Sequence, residues 1–128
     1  MKEIKFRAWD KINKKIRTVK TLYLDKYPSA LLVFEENEND FRRLRIPDEA
    51  EIIQFTGMFD KNGKEIYEGY IVECLHMRGE VEWGNYVFND KLKLPCYVAG
   101  KLGLFDDREA EVIGNKFENP ELLKEQTK

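Results

Sequence analysis

A chain of 128 residues that is 42% hydrophobic and 36% charged is sized for one globular domain, able to bury about two thirds of its unfolded surface. Its longest apolar run is the five residues Ala30 to Phe34, far short of the ~20 that a membrane helix needs, and two cysteines, Cys74 and Cys96, are too few for a disulfide framework. The net charge of −2 is uneven: residues 1–20 carry eight basic side chains against Glu3 and Asp10, a local +6 that leaves −8 for the rest.

Strand signals dominate the chain. Ile4, Phe6 and Ala8 alternate with Lys5, Arg7 and Trp9, the period of a half-buried strand. Asp10 to Lys15, DKINKK, reads as a hairpin turn into a second β-prone run, Ile16 to Leu24. Tyr27-Pro28-Ser29 breaks the chain before Ala30 to Phe34, and EENEND, Glu35 to Asp40, is expected as an exposed loop. Phe41 to Ile46 resumes as a strand that Pro47 ends. Pro47 to Ala50 has the proline and acidic residues of one helical turn, and a seam is placed at Pro47 to Thr56.

The second half is punctuated more sharply. Asn62-Gly63 supplies positive φ for a tight turn, and Asp60 can accept hydrogen bonds from its amides. After Glu68-Gly69, Tyr70 to Met77 reads as one strand with two partly apolar faces. Val81 and Trp83 alternate with Glu80 and Glu82 as an inside-outside strand. Short strands are expected near Tyr86 to Phe88, Tyr97 to Ala99 and Ala110 to Phe117. At the end, Asn119 is suited to an N-cap, Pro120 to the first helical position and Glu121 to the positive end of the dipole, with Leu122 and Leu123 able to dock on the barrel. The last residues are expected to fray. Many short strands with frequent turns point to an all-β roll or small barrel.

Catalytic constellations fare poorly. The single serine, Ser29, sits in a turn and the single histidine, His76, in a predicted strand, without the sharp elbow of a nucleophile. Cys74 and His76 would point the same way, but among Tyr70 and Val72 they look like core. Cys74, His76 and Cys96 give at most three N/S ligands, without zinc spacing. Asp60 to Ile71 has its glycine at the fourth position instead of the sixth of a calcium loop, and Ile71 where a bidentate glutamate belongs. Gly57 to Lys64 is one residue too long for a phosphate loop, and Glu65 follows where Ser or Thr is required. The carboxylate pairs Glu65/Glu68, Glu80/Glu82 and Asp106/Asp107 read as solvated faces. No cofactor, metal or catalytic residue is therefore assigned, and the chain is read as a non-enzyme.

Surface recognition is left. Lys5, Arg7 and Trp9 on one strand face, with Arg43 and Arg45 on one face of another, are the raw material for phosphate contact and base stacking. Against that stands a pI near 5.6, low for a nucleic-acid domain. The loop Asn89 to Leu94 is a second candidate surface. The N-terminus, MKEIKFRAWD, has no apolar h-region, so the expected setting is cytoplasm with reduced thiols.

Three stretches carry a resemblance: IKFRAWDKINKK at the start, GMFDKNGKEIYEGYIV at Gly57 to Val72, and EVIGNKFENPELL at Glu111 to Leu123. Together they resemble the YopX family of phage and prophage proteins across nearly the whole chain, least through residues 20–50. The resemblance implies an SH3-type β-barrel core, prophage origin and possible oligomerisation, in a family without a firmly assigned activity. It supplies no catalytic residue. One departure is visible: the glycine at position 69 is usually followed by Asp in the family, and here by Tyr70. The expectation is thus a mainly β protein of one domain, residues 1–128, with an N-terminal β region (1–53), an SH3-like barrel or roll (54–128) and a short C-terminal helix. It would be a non-enzymatic binding or adaptor module of a bacterial host cell, contacting a phage or host protein, with homo-oligomers possible and no membrane. A regulatory nucleic-acid-binding protein using the basic N-terminal face is the alternative.

Overall fold

Asp10 explains the first hairpin. Its carboxylate accepts hydrogen bonds from the Ile12 and Asn13 amides (3.0 Å each) and from the Asn13 side chain (2.9 Å), so the DKINKK turn is tied to one side chain. Lys14 takes φ +58°, and its amide closes the loop on the Asp10 carbonyl at 2.8 Å. The turn joins β1 (Phe6–Asp10) to β2 (Lys15–Tyr23) in register Ala8↔Arg17.

The computed structural model describes residues 5–23, 30–37, 40–88 and 92–124. After β2 come β3 (Ala30–Asn37), β4 (Asp40–Ile46), β5 (Ala50–Phe59), β6 (Glu65–Tyr67), β7 (Tyr70–Cys74), β8 (Met77–Phe88), β9 (Leu92–Ala99), β10 (Glu111–Asn115) and the single turn of helix α1 (Glu121–Lys124). The fold is mainly β. The strands form two open antiparallel sheets, in the orders β4-β3-β2-β1-β5-β6 and β10-β7-β8-β9; the described strands close no barrel.

The chain divides into two compact units at Gln54–Phe55. In the first, antiparallel register puts Ala8, Leu44, Ala50 and Ile52 on one sheet face, and these form its apolar cluster with Val19, Leu22 and Ile46. In the second, Ile66, Val72, Cys74, Val81, Ala99 and Ala110 make the core. Burying each of its larger aliphatic side chains is worth roughly 1.5–3 kcal/mol. Both faces of β7 are covered, as its sequence predicts: Tyr70, Ile71, Val72 and Cys74 are all buried.

Several expectations need correction. EENEND is not a loop throughout: β3 runs to Asn37 and β4 begins at Asp40, with Glu35 opposite Phe41. Polar residues stay in strand there because the hairpin partner supplies the ladder. Residues 38 and 39 lie outside the described part, as does the Tyr27–Ser29 break. Pro47 to Glu49 is a turn and not a helix, closed by Glu49 N–H donating to the Arg45 carbonyl and by Arg45 N–H donating to the Glu49 carboxylate (both 2.8 Å). Most of the stretch Pro47 to Thr56 is strand β5. That strand bulges past β6, since Phe55 pairs Tyr67 while Phe59 pairs Glu65. Gly57 takes φ +87° at the bulge, and Thr56 Oγ1 donates to the Ile66 carbonyl at 2.7 Å.

Tyr70 to Met77 is not one strand. Leu75 and His76 both have positive φ, +53° and +65°, forming a two-residue hairpin turn that pairs Cys74 with Met77. Val81 is buried as expected, but Trp83 on the same strand face is 58% exposed. Asn119 does not cap α1 with its side chain: the carboxamide oxygen turns back to accept the Asn115 amide at 3.2 Å. Leu122 does dock, close enough to Gly114 that a Cβ there would lie 2.9 Å from its Cδ1. The expected loop Asn89 to Leu94 is strand from Leu92 onward; its first three residues lie outside the described part.

Candidate binding surfaces

The basic surface predicted from sequence is partly assembled. Register through β1, β2, β3 and β4 places Arg7, Trp9, Arg43 and Arg45 on one sheet face, opposite the apolar cluster. Two strands separate β1 from β4, so the two groups stand roughly 14 Å apart. Arg43 and Arg45 are exposed, and Lys5 and Arg7 are half-buried. Trp9 is only 9% exposed, opposite Ile16 and Glu51. That is a correction: an indole so covered cannot stack a base, because stacking needs an open ring face.

Other polar groups are committed to scaffolding. Asp10 is fully buried and receives Arg17 Nε at 3.1 Å. Burial opposes its charge, but the donors from Asn13, Arg17 and Ile12 prevail and hold its pKa below the ordinary aspartate value. Asp60 plays the same part in the second unit. One carboxylate oxygen accepts the Asn62 and Lys64 amides and the other the Val112 amide, each at 2.9 Å. There too burial is outweighed, by the amides of Val112, Lys64 and Asn62, and the pKa is lowered. The chain therefore carries two like-built turns, WDKINKKI and FDKNGKEI, each organised by an aspartate after an aromatic residue and ahead of a lysine. Their likeness is visible in the sequence, where the two octets align without a gap and Asp10, Lys11, Lys14 and Ile16 match Asp60, Lys61, Lys64 and Ile66.

Asn115 is a third such organiser, accepting the Phe117 and Glu118 amides at 3.1 and 2.8 Å. Cys74 is buried in the core while His76 stands at the exposed hairpin tip, so they form no pair. The carboxylate pairs are divided among partners: Glu65 accepts the Tyr67 hydroxyl (3.1 Å), Glu68 the Tyr97 hydroxyl (3.0 Å), Glu80 meets Lys116 (3.5 Å), and Asp106 holds Arg108 (3.1 Å). Among the described residues no group of three or more His, Cys, Asp or Glu side chains could hold a metal ion.

One cluster escaped sequence reasoning. Trp83 and Tyr97 face each other across β8 and β9 in register, their rings edge to face with centroids 4.9 Å apart. The Tyr97 hydroxyl donates to Glu68. Burial, then the Glu68 carboxylate, push the Tyr97 pKa up to about 12. The signal was Trp83 itself, which the alternation of β8 assigned to the interior.

The YopX family model matches residues 5–124. The chain belongs to the YopX family. Among solved structures, the crystal structure of protein EF1440 from Enterococcus faecalis is similar, with a TM-score of 0.60 and 26% identity over 96% of this chain and 99% of that one. No curated protein matches significantly. The family's shared stretches now have positions: GMFDKNGKEIYEG is the bulge of β5, the Asp60 turn and β6, while EVIGNKFENPELL is β10, the Asn115 turn and α1. Tyr70, where the resemblance leads to the expectation of Asp, is buried against the Tyr67 ring at 5.5 Å. In this chain the position serves packing. No helix is long and apolar enough to cross a membrane among the described residues.

Proposed function

We propose that this YopX-family chain is a non-enzymatic binding or adaptor module of phage or prophage origin, acting in the cytoplasm of a bacterial host through contact with a phage or host protein. The observation that carries this reading is the use made of its buried carboxylates. Asp10 and Asp60 have both oxygens occupied by N–H donors, which suits a rigid scaffold more than proton transfer. The likeness of the second unit to an SH3-type roll, and any homo-oligomer, belong to the same proposal. The test is affinity purification of a tagged full-length chain from prophage-carrying cells. Co-elution of one partner at constant ratio is the expected result; a chain recovered alone at all concentrations speaks against it.

The shared sheet face of Arg7, Arg43 and Arg45 favours a second reading, a regulatory protein that contacts a nucleic-acid backbone. Phosphate contacts strengthen as salt falls. Gel-shift affinity at low salt that is lost in an Arg43→Ala, Arg45→Ala double variant would favour it, and no shift at low salt would dismiss it.

A further inference from the structure

Trp83 is the largest exposed apolar side chain among the described residues of the second unit, at 58%. Its neighbour two positions back on the same strand face, Val81, is fully buried. Tyr97 meets the indole edge to face and also packs against the core. Its hydroxyl is bonded to Glu68 at 3.0 Å, which fixes a carboxylate beside the aromatic pair. Among the described residues the cluster thus joins two aromatic rings to a carboxylate.

We propose that Trp83, Tyr97 and Glu68 form a docking site for a basic peptide segment of a partner protein, which lays an arginine guanidinium on the exposed indole of Trp83 and pairs it with Glu68. This rests on the binding-module reading and names the chemistry of the partner. The charge argues for a cation. A guanidinium is planar and weakly hydrated, so it stacks on an indole and still donates in plane to a carboxylate. A nucleic acid could also stack on Trp83, but its phosphates would meet Glu68 with like charge. Glu68 already accepts one hydrogen bond from Tyr97, and a carboxylate has capacity for more. The site needs no rearrangement of the sheet, since β8 and β9 hold the two rings in register.

The probes are an acetylated hexapeptide containing two arginines and its counterpart with citrulline at both positions, titrated into the full-length chain and followed by amide and indole NMR. The arginine peptide should shift the Trp83 indole N–H saturably, together with the Tyr97 and Glu68 amides. Citrulline should bind about tenfold more weakly. Glu68→Gln, which keeps an acceptor for Tyr97 but removes the charge, should weaken the arginine peptide about tenfold. Trp83→Ala should abolish the Tyr97 and Glu68 amide shifts while leaving the rest of the spectrum dispersed, because the side chain is exposed. A silent Trp83 at millimolar peptide, equal response to citrulline, or a response to a single-stranded oligonucleotide instead would overturn the proposal. A partner that co-elutes with Trp83→Ala as well as with the native chain would also overturn it, leaving the binding-module reading intact.

Discussion

Asp10 and Asp60 set the stability of the two turns, and each can be tested alone. Asp10→Ala leaves Arg17 buried without its counter-charge and frees the Ile12 and Asn13 amides; breaking a buried pair in this way costs about 3–5 kcal/mol. Asp60→Asn replaces an acceptor oxygen with an NH2 group that must face a backbone N–H, for a loss of about 1–3 kcal/mol. Urea midpoints measure both. The pH dependence has a definite sign. Both carboxylates have lowered pKa values when folded, so their contribution is complete above the unfolded value of about 3.9 and is lost as pH falls through it and below. The urea midpoint should hold from pH 7 to about 5 and then drop, and an Asp10→Asn, Asp60→Asn protein should show a flatter acid limb. The role of Asp60 was legible because Asp-x-Asn-Gly has a known turn chemistry. Its bond to Val112, 52 residues away, was not, because no local pattern encodes it.

At the scale of elements, the β7–β8 hairpin is the place where sequence and conformation disagree. Leu75 and His76 hold positive φ, which costs an L-residue roughly 1–2 kcal/mol, and Leu75 is 78% exposed. Neither residue has turn character, which is why Tyr70 to Met77 reads as unbroken strand. Leu75→Asn with His76→Gly should raise stability by about 1 kcal/mol in thermal melts, since that pair fits the turn the backbone already adopts. Gly79 works the other way. A Cβ there would sit 2.0 Å from the Ala99 carbonyl oxygen, and backbone cannot step aside as a flexible side chain does. Gly79→Ala should therefore cost about 3 kcal/mol or more, read by loss of amide dispersion. The strand period of β1 was readable because Phe6 and Ala8 share one face, and β2 was readable from its β-prone residues despite a bulge between Val19 and Thr21; β5 was not, because its bulge at Gly57 breaks the period of two.

For the whole molecule, the fold places its buried acids in turns and leaves an arginine-bearing sheet face on the first unit and an aromatic-acidic cluster on the second. The first was readable from alternation in β1 and β4. The second was not, since it joins Glu68, Trp83 and Tyr97 from three separated stretches, and only register brings them together. Light scattering on the complex recovered by a tagged chain from prophage-carrying cells is the most direct measurement. The account predicts a defined mass ratio of one partner to the chain that persists when Arg43 and Arg45 are replaced by Ala. A tagged chain that elutes at its own mass across all concentrations, with no partner, would contradict it.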